Sequence, residues 1–226
     1  MIMPFVRILG IFVILIFIGL LFLSILGVIF YKFNDPKTTR YMASEEDRLG
    51  KIKFEWVDFG EIKPVVFRSV IAAEDANFCL HWGFDLEEIR RVLRNGRSGG
   101  ASTITQQVVK NLFLWHGRDW LRKGVEALYT PVVELIWTKR RISEIYLNIA
   151  EFDEGVFGIQ AAAKHHFGTT SKNLTPKEAA ALAAVLPSPK LRSAINPSSQ
   201  LLKRAASIRD GAATIRKDGR DRCVVF

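Results

Sequence analysis

Four short stretches set polar and charged side chains among apolar ones at spacings that suit chemistry. The first runs Ala73-Glu74-Asp75-Ala76-Asn77-Phe78-Cys79-Leu80-His81-Trp82-Gly83. Glu74 follows the apolar run Val70-Ile71-Ala72-Ala73, which in a folded chain desolvates a carboxylate and raises its pKa. A general base works best with its pKa near the working pH, so Glu74 suits that role. Asp75 would stand about 100° away on a helix, so the two carboxylates would not serve one site symmetrically. A carboxylate so placed is also compatible with an N-cap, a salt bridge or a solvated surface.

The second stretch, Gly99-Gly100-Ala101-Ser102-Thr103-Ile104-Thr105-Gln106-Gln107-Val108-Val109-Lys110-Asn111, leads from a glycine pair into a helical pattern. Free backbone N–H groups and a positive dipole end make such a start an anion site, and Ser102, Thr103 and Thr105 add hydroxyls. Gln106 and Lys110 stand one turn apart. The phosphate-loop pattern GxxxxGK[ST] is absent, and a capped helix with a polar face explains the same residues. In the third stretch, Arg122-Lys123-Gly124-Val125-Glu126, the i, i+4 pair either stabilises a helix surface or places two phosphate-binding cations beside a carboxylate. The fourth, Arg140-Arg141-Ile142-Ser143-Glu144-Ile145-Tyr146-Leu147-Asn148, is basic and then amphipathic.

The elements that must position these residues are mainly helical. Val66, Val70, Ala73 and Phe78 recur at roughly helical spacing after Pro64, and Asp85-Leu86-Glu87-Glu88 opens a helix whose Leu86, Ile89, Val92 and Leu93 share an apolar face. Further helices are predicted over 102–113, 120–138 and 142–149. Thr175-Pro176-Lys177-Glu178 places a cap, a first-turn proline and a capping glutamate ahead of the alanine-rich stretch 177–186. A basic amphipathic segment, 199–217, reads as core packing. Residues 51–57 suggest one short strand, and 34–55, from Asn34-Asp35-Pro36, a linker or loose stalk.

From Ile8 to Tyr31 no charge occurs. A helix of that length rises about 36 Å, enough to cross a hydrocarbon core of about 30 Å. The run exceeds the apolar stretch of a cleavable signal peptide and reads as an uncleaved anchor. Arg7 on one side and Lys32, Lys37 and Arg40 on the other leave its orientation open. The remaining chain, with 49% hydrophobic residues overall, is enough for one cored domain and too short for two large ones. A net charge of +9 directs it toward anionic partners: nucleic acid, phospholipid or a phosphate-bearing substrate. The two cysteines, Cys79 and Cys223, lack metal-site spacing; a bridge between them is conceivable in an oxidising compartment but is not expected.

Taken together, the four stretches resemble the motifs of the peptidoglycan glycosyltransferase family, in its monofunctional biosynthetic branch (glycosyltransferase family 51). The E-D-x-x-F-x-x-H-x-G motif falls on Glu74, Asp75, Phe78, His81 and Gly83, and G-A-S-T-I-T-Q-Q-x-x-K-N runs from Gly100 to Asn111. R-K-x-x-E falls on Arg122, Lys123 and Glu126. The fourth motif falls on Arg141 (or Arg140), Ile142, Glu144, Tyr146, Leu147 and Asn148, with Ser143 where a larger apolar residue is usual.

The resemblance implies a lysozyme-like bilobal domain over 56–197, behind a single transmembrane helix at 1–33 and a linker at 34–55, with a C-terminal helix and tail at 198–226. It implies that lipid II and the growing lipid-linked glycan chain are the substrates. Glu74 would take the proton from the acceptor 4-hydroxyl as it attacks C1 of the donor, with inversion and loss of undecaprenyl pyrophosphate. Lys110, Arg122 and Lys123 would stabilise the leaving group, and Ser102, Thr103, Gln106 and Gln107 would line the donor site. Glu126, the second carboxylate, would position those cations, assist the pyrophosphate or bind a divalent ion. Asp75, Phe78, His81, Gly83, Asn111, Glu144 and Asn148 would support the motifs.

No cofactor is required on this reading, although magnesium or manganese could sit at the pyrophosphate. The domain would lie outside the cytoplasmic membrane, held to its lipids, and act with cell-division or wall-synthesis proteins rather than nucleic acid. An apolar region near Phe113-Leu114-Trp115 and Trp120 would either dip into the bilayer or pack in the core. Two rivals differ by test: a glycan hydrolase, less suited to so many cations, and a non-enzymatic basic scaffold. A transpeptidase is excluded, since Ser-x-x-Lys and Lys-Thr-Gly are both missing.

Overall fold

The alanine-rich segment decides how the helices meet. Helix α9 (Pro176–Val185) starts as its sequence predicts, with the Thr175 hydroxyl accepting from Glu178 N and the Glu178 carboxylate accepting from Thr175 N. Its Ala179, Ala180, Ala183 and Ala184 are buried, and such small side chains let neighbouring backbones approach closely. Helices α3 (Pro64–Glu74) and α10 (Ser199–Asp218) pack on α9 and on each other. Val66, Phe67, Val70 and Ile71 of α3 and Ile208, Ala212 and Ile215 of α10 fill that core. Gly211 lets α10 pass close: a Cβ there would stand 3.3 Å from Ala72 Cβ.

A second cluster sets α5 (Ile104–Phe113) against α6 (Trp120–Ile136) and α7 (Lys139–Ile149). The computed structural model describes residues 2–94, 96, 102–117 and 119–224, with the side chains of 2–10, 13, 14, 17, 20 and 21 outside that description. Residues 37–226 form one unit and 1–36 another. The remaining elements are α1 (Ile2–Phe33), α2 (Arg40–Leu49), α4 (Leu86–Arg94), α8 (Ile159–Phe167) and three short strands. β3 (Val156–Phe157) lies centrally, parallel to β1 (Lys53–Phe54) and antiparallel to β2 (Glu151–Asp153). The mainly α expectation holds.

Several expectations change. The segment 34–55 is not a loose stalk, because α2 forms inside it. Thr39 caps the helix, Met42 is fully buried, and the buried Glu45 pairs with Arg48 and with Lys190. The apolar face expected on α4 is not buried: Leu86 and Leu93 lie open, while Glu88, Arg91 and Val92 of the same helix line a cleft. Helix α3 ends at Glu74, so Phe78 sits on the turn beyond it and Asp75 leaves the helix altogether. Phe113 and Leu114 belong to the core, with Phe113 against Tyr129 and Trp137, whereas Trp120 is 92% exposed. Among the described residues no helix is long and apolar enough to cross a membrane. The anchor read at 1–33 rests in large part on side chains outside the described ones.

The cysteines correct the sequence expectation most sharply. Cys79 and Cys223 form a disulfide across 144 residues, with their Cα atoms 5.4 Å apart. Past Gly219 the tail turns back over α3, where Asp221 accepts a hydrogen bond from Arg68 Nε at 2.6 Å, and this return brings Cys223 to Cys79. A cross-link closing so long a loop removes much unfolded-state entropy. Cys79→Ser is expected to cost about 2–5 kcal/mol in denaturant unfolding. A loss matching that of wild type held in reductant would confirm the bridge, and equal stability of variant and oxidised wild type would refute it.

Candidate active site

Glu74 is the last residue of α3, with its side chain 7% exposed. Burial pushes its carboxyl above the usual range, and the Gln107 hydrogen bond and the charges of Arg204, Arg192 and Lys110 oppose that push without cancelling it. Gln107 Nε2 donates to Glu74 Oε2 at 3.0 Å, and the buried Tyr146 hydroxyl donates to Gln107 Oε1 at 3.2 Å. Tyr146 thereby turns the Gln107 amide so that its NH2 faces the carboxylate. On the other side, Arg204 of α10 stands 3.6 Å from Glu74 Oε1 while donating to the Ala73 and Leu186 carbonyls. Sequence reasoning missed Arg204 and the Tyr146 relay. Arg204 sits in a segment whose pattern signals only packing, far along the chain from Glu74.

Asp75 joins the two helix clusters. Its Oδ1 lies 2.8 Å from His81 Nε2, and its Oδ2 accepts from the backbone N–H of Ile104 at 3.0 Å, near the start of α5. Phe78 is fully buried against Phe67 and His81. Gly83 adopts φ +79°, and a Cβ there would overlap Thr130 Cγ2 and stand 3.2 Å from Glu134 Cγ. Its carbonyl accepts from the Thr103 hydroxyl at 2.7 Å. These residues hold the end of α3 against the start of α5.

The third stretch forms a buried ion cluster. Glu126, 2% exposed, accepts from Arg122 NH1 at 2.6 Å through one oxygen and from Lys123 Nζ through the other. Lys123 Nζ also donates to Ser102 Oγ at 3.3 Å, and Arg122 Nε donates to the Gly117 carbonyl at 2.9 Å. Lys110, in contrast, makes no ion pair or hydrogen bond through its ammonium among the described residues. Burial pulls its pKa below the usual ammonium range; Glu126 and Glu74 oppose this, and Arg122 and Lys123 add to it. A buried ammonium without a protein partner is a place for an anion.

A cleft of about 650 Å³ gathers Glu74, Ser102, Thr103, Gln107, Lys110 and Arg204 on its walls. Gln106 is not among them. Its side chain accepts from Thr103 N at 3.0 Å as half of a capping box, so it holds the start of α5 rather than lining a donor site. Arg122, Lys123 and Glu126 lie behind Lys110 and Ser102 rather than on the cleft surface. Asn111 is buried on α5. Glu144 and Asn148 strap the chain at 57–59 to α7: Glu144 accepts from Phe59 N at 2.8 Å, and Asn148 pairs with both the N–H and the carbonyl of Val57. The glycine pair at 99–100, read as an anion site, lies outside the described residues. Each carboxylate oxygen of Glu126 thus serves one of the chain's own cations.

The arrangement sets a largely buried proton acceptor and a cation with no partner among the described residues on the walls of a shared cleft. The Transglycosylase family model matches residues 42–213. A biosynthetic peptidoglycan transglycosylase of Jannaschia sp. (strain CCS1) is 54% identical over 205 residues, covering 91% of this chain and 86% of the relative. Proteins of the same description from Pseudomonas fluorescens (strain Pf-5) and Xanthomonas campestris pv. campestris (strain B100) are each 45% identical. They cover 82% of this chain and 82% and 80% of their own lengths. With the motifs gathered around one cleft and the match running through nearly all of the folded unit, the chain belongs to the transglycosylase family and is a peptidoglycan glycosyltransferase.

Proposed function

We propose that the chain polymerises lipid II into glycan strands, joining disaccharide units by β-1,4 bonds with inversion and release of undecaprenyl pyrophosphate. The observation that carries this reading is the placement of Glu74 and Lys110, whose ammonium has no partner among the described residues, on the walls of one cleft. Glu74 takes the proton of the acceptor 4-hydroxyl as that oxygen attacks donor C1. Lys110 meets the charge that develops on the departing pyrophosphate, where a fixed cation in a shielded site acts most strongly. Arg122 and Lys123, held by Glu126, reinforce the positive field behind it. The two helix clusters flanking the cleft support a lysozyme-like, bilobal arrangement.

Localisation belongs to the same reading. The apolar run from Ile8 to Tyr31 anchors the chain in the cytoplasmic membrane, with the catalytic unit outside. Trp120, Leu121, Leu128 and Leu135 lie exposed along α6, and the last three recur every seven residues, which keeps them near one face. This stripe supports contact with lipid, and the net charge of +9 favours anionic headgroups.

The test is incubation of the purified full-length protein with lipid II, following polymer by gel. Polymer is expected from wild type, and Lys110→Met is expected to lose about 10²–10³-fold in turnover while folding normally. Clearing of isolated cell-wall sacculi without polymer formation would replace this reading with hydrolysis.

A further inference from the structure

Away from the cleft, β2 and the end of α8 bring Asp153, His165 and His166 together, with one candidate ligand atom of each within 4.8 Å of the others. We propose that these three side chains bind a divalent transition-metal ion of the zinc class. His165 Nε2 and His166 Nε2 converge on the same oxygen, Asp153 Oδ2, at 3.5 and 3.6 Å. These separations are too long for good hydrogen bonds. Two ligand atoms bound at about 2.0–2.1 Å in tetrahedral geometry stand roughly 3.3–3.4 Å apart, close to what is found here.

His166 makes the stronger case. Its side chain is 1% exposed, yet among the described residues neither ring nitrogen makes a hydrogen bond of good geometry, the Phe152 carbonyl giving the ring only a weaker backbone contact. Burying a polar ring unpaired carries a free-energy cost that coordination would remove. Asp153 Oδ1 is already oriented by the backbone N–H of Glu154 at 2.8 Å, leaving Oδ2 to face the rings. Two imidazoles and one carboxylate suit zinc, nickel or copper better than magnesium or calcium. Solvent supplies a fourth position, since His165 and Asp153 are partly open.

One contact opposes binding and sharpens the proposal. Lys53 Nζ lies 2.8 Å from His165 Nδ1, so the metal-free ring accepts there and carries its proton on Nε2. Ligation through Nε2 moves that proton to Nδ1, and the exposed Lys53 must swing away. The ion would then tie the β2–β3 hairpin to α8, a structural role independent of glycan polymerisation.

The experiment is zinc titration of the untagged, chelator-stripped full-length protein by calorimetry and thermal melting. One zinc per chain is expected, with a midpoint rise of about 5–10 °C at a hundredfold excess over Kd. Asp153→Asn and His165→Ala, both partly exposed and so safe for folding, should each weaken binding at least tenfold. His166→Ala should abolish it, and Lys53→Ala should tighten it. Absence of stoichiometric zinc in wild type would overturn the proposal, as would affinity unchanged in both Asp153→Asn and His165→Ala.

Discussion

Glu74→Gln is expected to lower polymerisation of lipid II by about 10²–10⁴-fold, the range in which a positioned general base contributes. The fold should survive, because Gln matches the shape of Glu and Gln107 keeps a partner. The sign of the stability change follows from the raised carboxyl pKa. A group whose folded pKa lies above its unfolded value lends stability below the unfolded value and loses it as pH rises through the folded one. As pH rises through that folded value, ionised Glu74 becomes a burden on the fold, and there Glu74→Gln should be at least as stable as wild type. Activity runs the opposite way with pH, since only the ionised carboxylate accepts a proton. The acid limb of the rate profile should lie above the ordinary carboxylate range and vanish from the residual activity of Glu74→Gln. The lowered pKa of Lys110 should place the alkaline limb below the ordinary lysine range. A less stable Glu74→Gln with near-normal turnover would show that Glu74 supports structure and not chemistry.

Glu126→Gln is expected to damage both stability and activity. It removes a buried negative charge that Arg122 and Lys123 share, leaving one amide oxygen to accept where two carboxylate oxygens did and taking the counter-ion from the Arg122 guanidinium, 8% exposed. Breaking such a buried pair costs about 3–5 kcal/mol, measurable by denaturant unfolding. Turnover should fall on the order of 10²-fold, because the cations behind Lys110 lose their positions. Since Glu126 acts through those cations, its loss and that of Lys123→Met should be strongly non-additive. Additive losses would mean that Glu126 touches substrate itself.

The helices were largely legible. Thr175-Pro176-Lys177-Glu178 start α9 where the residue types require, and the starts and ends of α6 and α10 fall within a few residues of those expected. Capping and periodicity are local, so they survive without knowledge of the fold. The failures are long-range. Leu86 and Leu93 have helical spacing, but whether another element covers their face is decided by the fold, which leaves both exposed. Gln106 looked like a ligand residue by type and position; the capping box it completes also needs Thr103 in extended conformation, set by the Gly83 carbonyl. Thr39 and Gly50 bracket α2 as local caps, but its packing depends on α5 and on Lys190, far along the chain.

By itself, the sequence determined which groups are available: a carboxylate after an apolar run, a set of cations, a mainly helical chain and the motifs that mark its family. Their spacing along each helix decided which face carries them. The tertiary structure alone decided who meets whom. Arg204 reaches Glu74, Tyr146 turns Gln107, Glu126 closes on two cations while Lys110 has no partner among the described residues, and Cys79 joins Cys223. The physical reason is that desolvation and charge act through space. How strongly Glu74 holds a proton depends on what the packed helices exclude and on charges brought from far along the chain, and no local pattern encodes either.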